Sequence, residues 1–151
     1  MKRLSYIAPL ACLMLVVPAY AQFTKSGDAV EYRQGVFTVM SHHFGLISRA
    51  LKGEIPFKTE EVSANANLVA RLAKLPWGAF PVGSTTSDSH AKPEIWKKAD
   101  AFKELAERLQ TQTDKLAAVA KDGDASAVKA AFGDVAKTCK ECHDAFRTKH
   151  E

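Results

Sequence analysis

Near the end of the chain, two cysteines three positions apart are followed at once by a histidine: Cys139-Lys140-Glu141-Cys142-His143. The surrounding residues repeat apolar side chains at helical spacing, so the motif sits within a helix. C-x-x-C-H is the spacing of covalent haem attachment. Two thiols three residues apart share one helix face and can form thioethers to the two vinyl groups of a haem. The next imidazole then projects to the iron as its axial ligand. The fold is constrained accordingly, because it must enclose a broad, flat, mostly apolar group against one helix. Two other uses of the cysteines are weaker. A thioredoxin-like C-x-x-C wants a preceding strand and a helix N-terminus at the thiols. A structural zinc site wants two further ligands, and His42, His43, His90 and His150 form no pair at ligand spacing.

The rest of the chain reads as helices to build that enclosure. A first helix is expected from Ser26, as N-cap, to about Leu51, with Asp28 in its first turn and Gly53 as stop signal. Val30, Phe37, Phe44 and Leu51 recur every seven residues with Met40 and Ile47 interleaved, which is a heptad seam. A second helix is expected from Thr59 to Leu75, with Val62, Ala66, Val69, Leu72 and Leu75 facing inward. A loop rich in Pro, Gly, Ser and Thr follows, from Pro76 to Lys92, with Trp77 and Phe80 near its start to hold it down. A loop of that length inside a compact domain usually has a function. The third helix opens at Pro93 and carries Ile95, Ala99, Phe102, Ala106, Leu109, Leu116 and Ala120, ending at Lys121-Asp122-Gly123. The fourth begins after Asp124 and runs nearly to the end, with Val128, Phe132, Val135, Cys139, Cys142 and Phe146 as its seam. No segment has the period of a strand. Short connections make successive helices antiparallel neighbours, so the expectation is an all-α, up-down four-helix bundle.

The chain begins Met1-Lys2-Arg3, continues with an apolar stretch from Ile7 to Val17, and reaches Ala19-Tyr20-Ala21. These are the three parts of a secretory signal peptide. Cleavage is expected after Ala21, leaving one haem-binding domain over 22–151 and placing it in the periplasm. The apolar stretch is short for a membrane span, which takes about 20 residues. Cys12 leaves with the signal, and so do Lys2 and Arg3, which lowers the formal charge from +4 to +2. Two remaining cysteines make no disulfide framework. Without a clustered basic stripe there is no nucleic-acid partner to expect, and the mature chain has no second segment that would enter a membrane. With 46% hydrophobic residues, it can bury a sizeable core.

The other face of the iron would be met by the first helix. Phe37 cannot ligate iron. Met40, one turn on, reads as a core methionine, with a sixth-ligand role as the alternative. His42 and His43 fall beside or behind the seam, as surface residues. A five-coordinate haem with an apolar, crowded distal side follows. Arg33 is out of character on an apolar seam. It is costly there unless paired, and a haem propionate is the natural anion, with Gln34 adding a hydrogen bond; otherwise the helix turns and Arg33 reaches solvent. Arg147, one helical turn after His143, would cover the proximal imidazole or stand solvated at the helix end. Asp88 would bond the haem edge or be merely solvated.

Taken together, Gln22-Phe23, Asp28-Ala29-Val30, Tyr32-Arg33-Gln34, Leu75-Pro76-Trp77 with Phe80, Pro93-Glu94-Ile95-Trp96, and Ala130 to Val135 through Cys139 to Arg147 resemble the bacterial cytochromes c prime. The resemblance spans essentially the whole chain after Ala21. It implies a left-turning four-helix bundle, a homodimer packed through the first two helices, and one haem c per chain. It implies a high-spin, five-coordinate iron that binds nitric oxide and carbon monoxide. By position it makes Arg33, Gln34 and Asp88 haem contacts, Phe37 the distal residue and Arg147 the proximal arginine. Many relatives have leucine or tyrosine where this chain has Phe37, and low-spin cytochromes of the same fold have methionine there. Gas binding and electron transfer to a redox partner protein are thus the two expected roles. The second could use Met40 as sixth ligand. An enzymatic, peroxidase-like role is disfavoured because no distal histidine or acid is placed to cleave an O–O bond.

Overall fold

The computed structural model describes residues 23–148. Its helices are α1 (Ser26–Leu51), α2 (Thr59–Leu72), α3 (Glu94–Lys97), α4 (Ala99–Ala120) and α5 (Ala125–Phe146), with a 3-10 turn at Pro76–Ala79 between α2 and α3. The four long helices form an up-down bundle in which α1 lies on α2, α2 on α4, and α4 on α5. Contact between α1 and α5 is slight, so the bundle is open along that seam. The expected signal segment, 1–21, lies outside the described residues. Among the described residues, no helix is long and apolar enough to cross a membrane.

Helix ends follow local chemistry. Asp124 caps α5 by accepting from the backbone N–H groups of Ser126 (2.8 Å) and Ala127 (3.3 Å). Gly123, at φ +73°, supplies the left-handed residue that turns the chain from α4 to α5; a Cβ there would also meet Thr59 Oγ1 at 2.6 Å. At α1 the expectation is corrected. Lys25 stands at the N-cap without a side-chain bond, and Ser26 is already helical.

Two further boundaries differ from expectation. α2 stops at Leu72, and Leu75 is 47% exposed rather than inward. Pro76 lacks an N–H to carry the ladder on, and the preceding residues tighten into Leu75 N–H to Leu72 O and Lys74 N–H to Arg71 O bonds. The expected third helix is two pieces, broken at Lys98 (φ −123°, ψ 49°). The bend buries Ile95 and lets Trp96 Nε1 donate to Phe80 O at 3.1 Å, tying α3 to the loop.

The core follows the seams. Met40, Ile47, Val69, Leu109, Leu116, Val128 and Val135 are buried together, while Phe37, Phe44, Phe132 and Cys139 pack against them only partly covered. Phe44 stacks on Phe132 across the α1–α5 seam, centroids 4.0 Å apart and planes within 8°. Above that stack the two helices are separated by a cavity.

Candidate functional site

The cavity has a volume of about 870 Å³, within the range of sites for sizeable organic ligands. α5 contributes Cys139, Cys142, His143 and Phe146 to one wall, and Arg33, Gln34, Phe37, Met40 and Phe44 of α1 line the other. Trp77, Phe80 and residues 88–91 form the top, and α4 supplies Phe102, Leu109 and Thr113. The partial exposure of Phe37, a seam residue by spacing, has a simple cause: its ring lines this space, and Phe44 borders it while stacking on Phe132.

The motif residues Cys139, Cys142 and His143 all line this cavity. Cys139 and Cys142 are unpaired thiols, half-buried on the inner face of α5. Burial pushes both thiols up, Cys142 to about 11. His143, beside them on the cavity wall, is held below the usual imidazole range by partial burial and then by the Arg147 cation, with Asp144 opposing. The shift favours the neutral ring, the form that ligates metals. Arg147 itself is not on the helix face expected for it. It stands just past the end of α5 in extended conformation, exposed, and still lines the cavity.

That end of α5 is stapled to the long loop. Lys92 N–H donates to Phe146 O and Thr148 N–H to His90 O, both at 2.9 Å, around an isolated antiparallel bridge between Ala91 and Arg147. This pairing has no signature in the sequence, because it is too short for a period to show.

Arg33 is the strongest electrostatic feature. It is 3% exposed. One terminal nitrogen donates to Ala79 O (2.6 Å) and Ser84 Oγ (2.8 Å), the other to Ser84 O (2.7 Å) and Ser89 Oγ (2.9 Å). Its guanidinium carbon lies 4.4 Å from the Phe80 ring centroid. All these partners are neutral. Among the described residues no carboxylate is within ion-pairing distance of it, and burial lowers its pKa. Arg33 is thus satisfied in hydrogen bonds and uncompensated in charge, on the wall of an apolar cavity. An anionic group inside that cavity would supply the missing charge. Beside it, Gln34 Nε2 donates to Asp88 O at 2.7 Å, so the Asp88 contact with α1 runs through its backbone while its side chain is exposed. Sequence reasoning found Arg33 but not Ser84 and Ser89. A buried serine in a Ser/Thr-rich loop looks like its exposed neighbours.

Replacing Arg33 with leucine would strand the buried carbonyls of Ala79 and Ser84. Leaving such groups unpaired costs about 1–3 kcal/mol each, so the haem-loaded variant should lose about 3 kcal/mol in guanidinium unfolding.

The remaining candidates are placed as follows. Met40 is buried in the core cluster and also borders the cavity. His42 is exposed. His43 is half-buried rather than on the surface, sharing a 2.7 Å hydrogen bond with Asn65 Oδ1 that links α1 to α2. Neither histidine lines the cavity.

A family model described as Cytochrome C' matches residues 28–147. The chain belongs to the cytochrome c' family. It is 44% identical over 128 residues to cytochrome c' of Alcaligenes xylosoxydans xylosoxydans, covering 85% of this chain and 99% of that protein. Two solved structures of cytochrome c prime from Alcaligenes xylosoxidans are similar throughout, each 42% identical and covering 85% of this chain and 100% of the other. One is the nitric oxide complex of a leucine-to-alanine variant (TM-score 0.80), the other a carbon monoxide-bound leucine-to-glycine variant (TM-score 0.79). Cytochromes c' are haem proteins built as four-helix bundles, the architecture found here. The donor set fits that group on this chain's own evidence. Two unpaired thiols and a neutral imidazole share one cavity wall, the walls are apolar, and a buried cation lacks its anion.

Proposed function

We propose that this chain is a periplasmic, non-enzymatic haem protein that binds diatomic gases such as nitric oxide and carbon monoxide, or passes electrons to a redox partner protein. Cys139 and Cys142 would hold one haem c through thioethers, and His143 would supply the protein's ligand to its iron. The observation that carries the reading is the meeting of those three groups on one wall of an apolar cavity whose facing wall presents Phe37, a side chain unable to coordinate. The gas complexes of the similar Alcaligenes protein support it. The haem supplies an iron with one open position, and the residues of this chain decide what reaches it. Phe37 crowds that side and keeps it apolar, which excludes water. Arg33 places a buried positive charge where a propionate needs one, and Gln34 and Asp88 close the same edge. Arg147 stands beside His143 on the proximal side.

The test is the absorption spectrum of the reduced protein with and without carbon monoxide. A high-spin spectrum that shifts reversibly on adding the gas is expected. A sharp low-spin spectrum indifferent to carbon monoxide would sink the proposal.

Met40 borders the same cavity, which favours a second reading as a six-coordinate electron carrier. Its place in the core cluster argues for packing instead. Met40→Ala should therefore leave the spectrum unchanged while lowering stability by about 2–4 kcal/mol, as truncating a buried methionine does. A spectral change to high spin would install the second reading.

A homodimer through α1 and α2 is part of the proposal. From Gln34 to Ser48, α1 carries no Asp, Glu, Lys or Arg, and Val39 on its outer face is 45% exposed. Interface centres are depleted in charge in this way. Val39→Asp should shift the sedimentation coefficient of the dimer to that of a monomer.

A further inference from the structure

Phe37 does not stand alone. Its ring meets Trp77 edge to face, centroids 6.1 Å apart at 73°. Trp77 in turn touches Phe102 (5.8 Å, 71°) and stacks near Phe80 (6.5 Å, 22°), while Phe80 and Phe102 meet at 5.0 Å. Trp77 is thus the hub from which three phenylalanines of the cavity wall are set. Its own position is over-determined. Pro76, buried, fixes the backbone torsion just before it in the 3-10 turn. The indole Nε1–H donates to Ala73 O at 2.7 Å, anchoring the ring to the end of α2. Phe80 is held from behind by the Arg33 guanidinium.

We infer that Trp77 is a positioning residue for gas entry: it is the stop that keeps the Phe37 ring over the open side of the site. The inference rests on the placement of Phe37 proposed above. A phenylalanine on a helix moves by rotating about its two side-chain torsions. An incoming diatomic must wait for that ring to swing aside, and rotation toward Trp77 meets an indole held by its bond to Ala73 O and by its contacts with Phe80 and Phe102. Exit over the same ring meets the same block, so the stop slows entry and escape together. A purely structural role for Trp77 would instead change stability and haem loading and leave the entry rate alone.

The experiment is flash photolysis of the carbon monoxide complex of the reduced, haem-loaded protein. Trp77→Leu should raise the bimolecular rebinding rate roughly two- to tenfold, the span to which the coupling of an aromatic pair converts. Trp77→Phe, which removes the N–H anchor and shrinks the ring, should raise it by less. In a Phe37→Ala background, where the rate is already raised, Trp77→Leu should add nothing further. If Trp77→Leu loads no haem, Trp77→Phe carries the same test in both backgrounds. A rate unchanged by either Trp77 variant, with Phe37→Ala still fast, overturns the inference, as does an additive effect in the double variant. A rate unchanged by Phe37→Ala overturns the placement of Phe37 itself.

Discussion

Replacing Cys139 and Cys142 together with alanine should yield a chain with no haem stain after denaturing electrophoresis and no cooperative thermal transition. The first outcome follows from the chemistry, since thioethers are the only bonds that survive denaturation. The second follows from the size of the cavity. With nothing filling it, a cleft of about 870 Å³ lined by Phe37, Phe80, Phe102 and Phe146 leaves those apolar walls facing water, and the removal of such surface from water is the main favourable term in folding. Without an occupant the walls are driven toward each other. The α1–α5 seam, where the helices touch least, should close or fray first. Helical circular dichroism should persist while the near-ultraviolet signal of Trp77 and Trp96 is lost and a hydrophobic dye binds. A double variant that unfolds cooperatively near the temperature of the parent would show that the bundle is complete without its occupant. A single Cys139→Ala should fall between, because on the proposed attachment one thioether and a His143 bond would still tether the group.

Much of this arrangement is legible in the residues, and the parts that are not share a cause. The four long helices show in apolar residues at three-and-four spacing, with a seven-residue seam in the first, because each turns an apolar stripe inward, and the Asp124 cap and the Gly123 turn mark a boundary chemically. Arg33 stands out because an arginine on an apolar stripe needs an explanation, and the structure supplies half of one in four neutral acceptors. The break at Lys98 is invisible, since neither glycine nor proline marks it and one non-helical residue barely disturbs the spacing of Ile95, Ala99 and Phe102. The partners of Arg33 at Ser84 and Ser89, the staple of residues 90–92 onto 146–148, and the contact of Trp77 with Phe37 are long-range. They depend on where a loop lands, which no local pattern encodes. Trp77 and Phe80 show that the loop packs down, but not that they brace the wall facing His143.

If the proposed open site is correct, Phe37→Met should convert the protein from one that takes up gas to one that does not. Among the cytochromes this chain resembles, those of low spin have methionine at this place. Methionine is unbranched and flexible, so its thioether can extend into the space the ring now fills. It is also a competent sixth ligand to haem iron, with His143 on the other side. The reduced spectrum should turn sharp and low-spin. Carbon monoxide would then have to displace an internal ligand, and apparent affinity falls by the fraction of molecules in which the site is open. With the thioether bound in nine molecules of ten, the loss is about tenfold, and tighter ligation increases it in proportion. Phe37→Ala separates ligation from the mere loss of the ring. It leaves the open position without a donor, so its spectrum should remain high-spin and its carbon monoxide binding should quicken. If Phe37→Met stays high-spin and binds the gas as the parent does, the side chain at this position does not reach the iron, and the distal wall must be sought at Met40 or Phe44 instead. Stability gives an independent reading of the same variant. A sixth bond inside the cavity ties α1 to α5 across the seam where they scarcely touch, so Phe37→Met should unfold at a higher guanidinium concentration than Phe37→Ala.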